Sequence, residues 1–276
     1  MKRRMNISSR LLRKLKFSDL VYLNGRKTKL FEKGKEGDII TLDLPDETSD
    51  FLPEDIPVSV IFEDADILVI NKQAGIVVHP TKGHQSNTMA NALVKYMSDK
   101  GDRYKIRFIN RLDMNTTGVL LVGKNAYCQE DFARQASSGG VEKKYLTVVK
   151  GNVNEDKGTI DLPTGKPSED DIRRAVYDQG YPSLTHYEVI ERFAKGYTLL
   201  RVALETGRTH QIRVHLSHIG YPVVGDVLYG QEDTGLIGRQ ALHAEQLSFN
   251  HPVTGKRLSF QAPLPADMKE LLLRLR

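Results

Sequence analysis

Two pairs of strand-length runs in this chain follow one another with no room for a helix between them. Residues 184–190 and 197–204 are separated by the gap 191–196, and 241–249 and 257–260 by the gap 250–256. Parallel neighbours need a connection of roughly a dozen residues or more, whereas antiparallel neighbours need only a turn. Further strands are expected at 67–71, 119–122 and 145–149, and helices at 88–97, 127–137, 210–219 and 268–273. The irregular order favours an α+β fold, a mixed, mainly antiparallel sheet with packed helices, over a doubly wound parallel sheet.

Ahead of this region lies a small unit of different character. From Ile7 to Lys16 the apolar Ile7, Leu11, Leu12 and Leu15 fall on one helical arc, and the basic Arg10, Arg13, Lys14 and Lys16 fall on the other. A strand at 21–23, a turn at Asn24 and Gly25, and a second strand at 39–42 complete a short α/β module over residues 1–45. Residues 46–57 mix proline, acids and serine without periodicity and read as a linker, leaving 58–276 as the main domain.

Charge is unevenly placed along the chain. Residues 1–35 carry twelve Lys/Arg and two acids, a net +10, so the remainder of a chain with net +5 carries −5. Such asymmetry suits either contact with a phosphate backbone or a solvated basic segment. No apolar run reaches the ~18 residues of a membrane span, and Arg13, Lys14 and Lys16 interrupt the N-terminal leucines, so neither a membrane anchor nor a secretory signal is expected. The one cysteine, Cys128, can form no internal disulfide, which suits a reducing cytoplasm. A monomer is expected.

Three stretches invite chemistry. Gly118 to Lys124 fits GxxxxGK, but its four interior residues are large and apolar and Asn125 follows where Ser or Thr belongs, so it reads as a buried strand rather than a nucleotide loop. His210, His215 and His218 do not share a helix face, and no metal site is expected there. Residues 110–118 (NRLDMNTTG) form a polar loop entering a strand; Asp113 is either a presented reactive carboxylate or a cap for the Asn115 or Thr116 amides. Residues 206–213 (TGRTHQIR) start a helix that Thr209 could cap, with Arg208 and Arg213 forming either an anion site or a solvated pair.

Together these motifs resemble the RluA family of pseudouridine synthases. The family's HRLDxxTSG loop is matched by residues 110–118, its Lys-x-Tyr segment by Lys143 to Tyr145, and its GR[ST]HQ[IL]R[VL]H segment by 207–215. A following GYPVVGD at 220–226, Leu242-His243-Ala244 and His251-Pro252 fit in order. The first 45 residues resemble a truncated S4-like RNA-binding module. Two departures stand out: Asn110 replaces the usual His, losing a ring that can stack, and Thr117 replaces Ser, keeping the hydroxyl.

The resemblance implies an isomerase of structured RNA, ribosomal RNA first and transfer RNA second. It breaks the N-glycosidic bond of uridine, turns the base and rejoins it through carbon, with no cofactor, metal or nucleotide. It implies Asp113 as the catalytic carboxylate, attacking the sugar, assisting elimination or attacking the ring. Arg213 is implied as its partner, Arg111 as the residue filling the place of the flipped base, Tyr145 as the stacking ring, and Asn110 as a contributor to substrate positioning. Extruding a base costs a few kcal/mol, which stacking of ~1–3 kcal/mol offsets. Rival expectations are a non-catalytic RNA-binding or ribosome-assembly protein that retains the fold, which Asn110 favours, a nucleoside hydrolase, which lacks a second acid placed as general acid, and a DNA-binding protein.

Overall fold

A computed structural model describes residues 7, 9–44, 47–81, 83–168, 171–230 and 235–276. Residues 1–6 of the expected N-terminal module, the side chain of Arg10, and Pro45 and Asp46 at the expected linker boundary lie outside the described residues.

The N-terminal unit holds helix α1 (Ser9–Lys16) and strands β1 (Val21–Leu23), β2 (Arg26–Lys27) and β3 (Ile40–Leu42), in the sheet order β2-β1-β3. Asn24 and Gly25 both have positive φ, 52° and 78°, the geometry a two-residue hairpin requires. Ile7, Leu11, Leu15 and Val21 are buried together, with Tyr127 packed against them from the main domain. Residues 47–58 contain neither helix nor strand, yet they lie on the main domain: Ser49 accepts the Ile106 amide at 2.8 Å, and Phe51, Ile56 and Val58 pack on its core.

The main domain opens with β4 (Ser59–Glu63), β5 (Ile67–Lys72), α2 (Met89–Lys100), β6 (Arg107–Phe108), β7 (Thr117–Gly123), α3 (Ala126–Ser137), β8 (Glu142–Lys150) and β9 (Lys157–Asp161). It continues through β10 (Thr164–Gly165), β11 (Ala175–Val176), β12 (Leu184–Phe193), β13 (Tyr197–Leu204), α4 (Gln211–His218), β14 (Leu242–Asn250), β15 (Arg257–Gln261) and α5 (Ala266–Leu275). The main sheet runs β4-β5-β7-β14-β8-β13-β12-β9, with β15 beside β14 and β6 beside β7. Its ladders are antiparallel except β7 with β14, so the α+β expectation holds. Strands β4, β6 and β9 and the small β10–β11 pair lay outside the sequence expectation.

β7 is buried along its whole length, as its apolar interior requires. Leu120 and Val122 join the core under α2, α4 and α5, while Val119 and Leu121 join the core under α3. Thr88 caps α2 in a reciprocal box with Asn91, and Gly101 ends it in the left-handed conformation. Gly118, the second residue of β7, has φ 113°, and a Cβ there would lie 2.2 Å from the carbonyl oxygen of Ala244. No side chain fits that crossing of β7 and β14, so the glycine closing the 110–118 motif is required by the parallel pairing.

Candidate active site

The loop before β7 and the turn before α4 meet across the middle of the sheet. Arg213 on α4 donates from Nη1 to Asp113 Oδ2 at 2.9 Å, joining two motifs a hundred residues apart. The other side of the guanidinium forks onto Asp226, Nε to Oδ2 at 2.6 Å and Nη2 to Oδ1 at 2.8 Å. Asp226 is 1% exposed and also accepts the amides of Leu228 and Tyr229. Burial works against the Arg213 charge, but Asp226 and Asp113 outweigh it and hold its pKa above the ordinary arginine value. The Tyr229 ring lies 5.0 Å from the same guanidinium.

Asp113 is thus presented rather than used to cap its own loop: its backbone carbonyl, not its side chain, takes the Thr116 amide. Buried cations hold the loop from beneath. Lys72, at the end of β5 and 0% exposed, donates to the carbonyls of Gln73, Met114 and Thr116 at 2.9, 2.8 and 3.0 Å. Arg239 donates to the Asn115 carbonyl at 3.0 Å and is itself forked onto Asp267. Three successive loop carbonyls are therefore each met by a cation. Burial pulls Lys72 down to about 7, with Asp113 acting the other way and Arg239 adding to the fall.

Tyr145 on β8 lines the same cleft as Asp113, Arg111 and Arg213, and is 8% exposed. Burial, and then the Asp113 charge, raise its pKa, so the phenol keeps its proton. Arg111 is exposed and donates to Thr209 Oγ1 at 3.0 Å across the mouth of the cleft. The space left around Asp113 is only about 50 Å³. That is well below the ~300–1,000 Å³ of ligand sites, so a base enters only if this closure yields.

Three expectations are corrected. Asn110 does not reach the cleft: its amide donates to the Val119 carbonyl at 3.0 Å and accepts the Leu121 amide at 2.7 Å. It continues the β6 ladder along the β7 edge up to the point where β14 takes over, so it serves the fold. Thr209 does not cap α4. His210 is the cap residue, left-handed at φ 58° with no side-chain cap bond. Gln211 instead ties the turn, accepting the Arg208 amide and the Thr206 hydroxyl at 2.9 Å each. Arg208 and Arg213 do not form one anion site, because Arg213 is taken up by two carboxylates while Arg208 lies outward against Tyr181.

The histidines divide as their separate faces required. His215 is buried between the Thr185 hydroxyl and the Leu162 carbonyl, and His218 is exposed. His210 belongs to the site. Tyr229 Oη accepts the Arg174 amide at 2.8 Å and shares a hydrogen bond with His210 Nδ1 at 2.7 Å, and His210 Nε2 faces Asp113 Oδ1 at 3.9 Å. Burial lowers the His210 pKa despite Asp113. Thr117 uses its retained hydroxyl on His243 Nδ1 at 2.9 Å. Asp64, Asp66 and His251 are the one group with metal-ligand spacing among the described residues, within 4.8 Å. Their inner atoms are occupied: His251 pairs with Asp64 at 3.0 Å, and Asp64 also caps two backbone amides.

Comparison with known proteins fits this geometry. The family described as RNA pseudouridylate synthase matches residues 66–218, which include all three motifs that build the cleft. The chain belongs to the RNA pseudouridine synthase family. These synthases are isomerases acting on RNA. A Bacillus subtilis (strain 168) protein named uncharacterized RNA pseudouridine synthase YlyB is 42% identical over 260 residues, covering 93% of this chain and 86% of its own. Ribosomal large subunit pseudouridine synthase D of Pseudomonas aeruginosa is 41% identical over 240 residues, covering 82% of this chain and 74% of its own. The solved human RNA pseudouridylate synthase domain containing 1 superposes with a TM-score of 0.62 at 27% identity, covering 79% of this chain and 94% of that one. The RluA-type reading of the motifs and the α+β fold of this pseudouridine synthase therefore agree.

Sequence reasoning gave no role to Lys72, His210, Asp226, Tyr229 or Arg239. Asp226 ends the 220–226 motif, and its acid directly after Gly225 was the available signal. Lys72 ends an apolar strand, where a lysine ordinarily reads as a solvated charge.

Proposed function

We propose that this pseudouridine synthase uses Asp113 as its catalytic carboxylate and acts on structured ribosomal RNA, with transfer RNA the second choice. The observation that carries the reading is the Asp113 carboxylate bonded to a buried Arg213 that Asp226 keeps in plane. The guanidinium fixes the direction of the carboxylate through a charge-assisted hydrogen bond, so its free oxygen is presented to the cleft. Arg111 fills the place of the extruded base, and Tyr145 stacks on the uracil beside Asp113. The names of relatives such as ribosomal large subunit pseudouridine synthase D support ribosomal RNA. Asn110, the one feature favouring a chain that binds without turnover, has a structural use on β7 and no longer supports that rival. The N-terminal unit, an S4-like module in this reading, adds phosphate contacts through α1.

The test incubates unmodified ribosomal and transfer RNA with the unsubstituted protein and with Asp113→Asn, then maps pseudouridine by chemical labelling and primer extension. Modification by the unsubstituted protein alone is expected, at positions that name the substrate. Modification by Asp113→Asn at an equal rate would overturn the assignment of the carboxylate.

A further inference from the structure

Beside the narrow cleft at Asp113 lies a wider one that the reaction as described does not use. Its volume is about 530 Å³, within the ~300–1,000 Å³ range of ligand sites. It shares Arg111 and Arg208 with the Asp113 cleft, so its occupant lies directly next to an occupant of the catalytic space.

The far wall is the stretch that contains β10 and β11. Its strands are paired, Thr164 with Val176 and Gly165 with Ala175. Tyr181 exchanges two backbone hydrogen bonds with Thr164, at 2.9 and 3.0 Å, and a Cβ on Gly180 would lie 2.6 Å from the Thr164 carbonyl carbon. This fixed turn holds Tyr181 out from the surface, 68% exposed, with the Arg208 guanidinium 5.4 Å from its ring. The exposed ring offers a π-face on which a planar group can stack. Arg174 and Lys166 also line the cleft. Among the described residues, none of Arg111, Lys166, Arg174 and Arg208 has a carboxylate within 4.0 Å. Unpaired cations around an exposed ring meet the two chemistries of a nucleotide, a phosphate and a π-face.

We propose that this cleft is a second nucleotide subsite, which takes a nucleotide flanking the target uridine, its base on Tyr181 and its phosphate on Arg174 and Lys166. The proposal rests on the reading that the Asp113 cleft receives a uridine of RNA. It adds where the neighbouring nucleotide goes, and with it a determinant of sequence context outside the catalytic cleft.

The chain contains no tryptophan, so Tyr181→Trp installs a single fluorescent ring in the subsite. The probe is a labelled oligouridylate of roughly ten nucleotides, within the span that single-strand grooves cover. Anisotropy reports binding and indole emission reports stacking. Saturable quenching is expected with the same midpoint as the anisotropy, and it should be lost when Arg174→Glu and Lys166→Glu are added. Tyr181→Ala should weaken binding roughly 5- to 150-fold, the fold-change equivalent of ~1–3 kcal/mol of stacking, and Tyr181→Phe should not. Unchanged emission from Tyr181→Trp while anisotropy shows the RNA bound would overturn the subsite. So would no saturable binding by the unsubstituted chain, since stacking accepts any base. None of these readouts needs turnover. If Asp113→Asn and the unsubstituted chain both leave RNA unmodified, the catalytic reading fails and the subsite is still judged on its own.

Discussion

Arg213 and Asp226 are joined by two hydrogen bonds that consume Nε and Nη2 of the guanidinium, leaving Nη1 to meet Asp113. The direction in which Asp113 receives positive charge is thus set by a third residue, beyond the span that defines the family. Arg213→Lys keeps the charge but replaces a planar fork with a point donor that cannot serve both carboxylates in line. We expect kcat to fall by roughly 10²-fold, the scale of a small misplacement of a reacting group, with KM changed less. Asp226→Asn should cause a comparable kcat loss and about 3–5 kcal/mol of destabilisation, because a buried guanidinium loses its main counter-charge. Single-turnover kinetics and urea unfolding measure the two effects. A full rate for Arg213→Lys would show that the fork is dispensable.

Lys72 yields a prediction with opposite signs for stability and activity. Burial holds its pKa at about 7 against an ordinary 10.5. Between those values the unfolded chain keeps a proton that the folded chain has released, so folding becomes more favourable as pH rises through the window, and flat below it. The unsubstituted protein should therefore gain stability over Lys72→Met between about pH 7 and 10.5. A neutral amine has one donor fewer for the three carbonyls it holds, so the reactive loop loosens and kcat falls across the same window. Urea midpoints and kcat for both proteins at about pH 6 and about pH 9 decide it. A stability difference independent of pH would mean that Lys72 stays charged throughout.

How much of this was legible in the sequence depended on the reach of each interaction. The mainly antiparallel character of the sheet followed from strand pairs with no room for helices, and the meeting of Asp113 with Arg213 was implied by the family resemblance of the motifs. Strands β6 and β9 were missed because two residues, or a polar KGTID, carry no period to read. Asn110 was misassigned because a side chain that completes a β ladder looks, in a polar loop, like one that faces substrate. Thr209 was misassigned because the left-handed His210 turns the chain away from the geometry a Thr cap needs. Lys72 and Asp226 were silent because their partners are set only when β5 passes beneath the loop and residues 220–230 fold back onto α4.

Arg111 and Thr209 close the cleft with one hydrogen bond at 3.0 Å, over a space too small for a base. Opening must precede binding, and an affinity is reduced by the fraction of molecules that are open. Thr209→Val keeps the shape and removes the acceptor. An exposed bond of this kind contributes roughly 0.5–1.5 kcal/mol, so KM for the mapped RNA should fall about 2- to 10-fold with kcat unchanged. Thr209→Ser should behave like the unsubstituted protein. A raised KM for Thr209→Val would indicate that the threonine hydroxyl contacts RNA itself.

The basic helix lies at a distance from Asp113. Leu11 and Lys14 of α1 border a cleft with Lys124 and Asn125, which follow the end of β7, whereas Asp113 lies before its start. Seven strand residues separate the two by about 20 Å at ~3.3 Å each. Lys14 is paired with Glu47, while Arg13 and Lys16 are exposed and, among the described residues, have no carboxylate within 4.0 Å. If these two hold phosphates, each adds roughly 0.7–0.9 to the slope of log K against log salt. Arg13→Ala with Lys16→Ala should therefore weaken RNA binding at low salt and flatten the slope by about 1–2, while kcat at saturating RNA stays the same. Deleting residues 1–45 would uncover Tyr127, so the double substitution is the cleaner test. An unchanged slope would assign the helix to packing alone and confine the RNA footprint to the main domain.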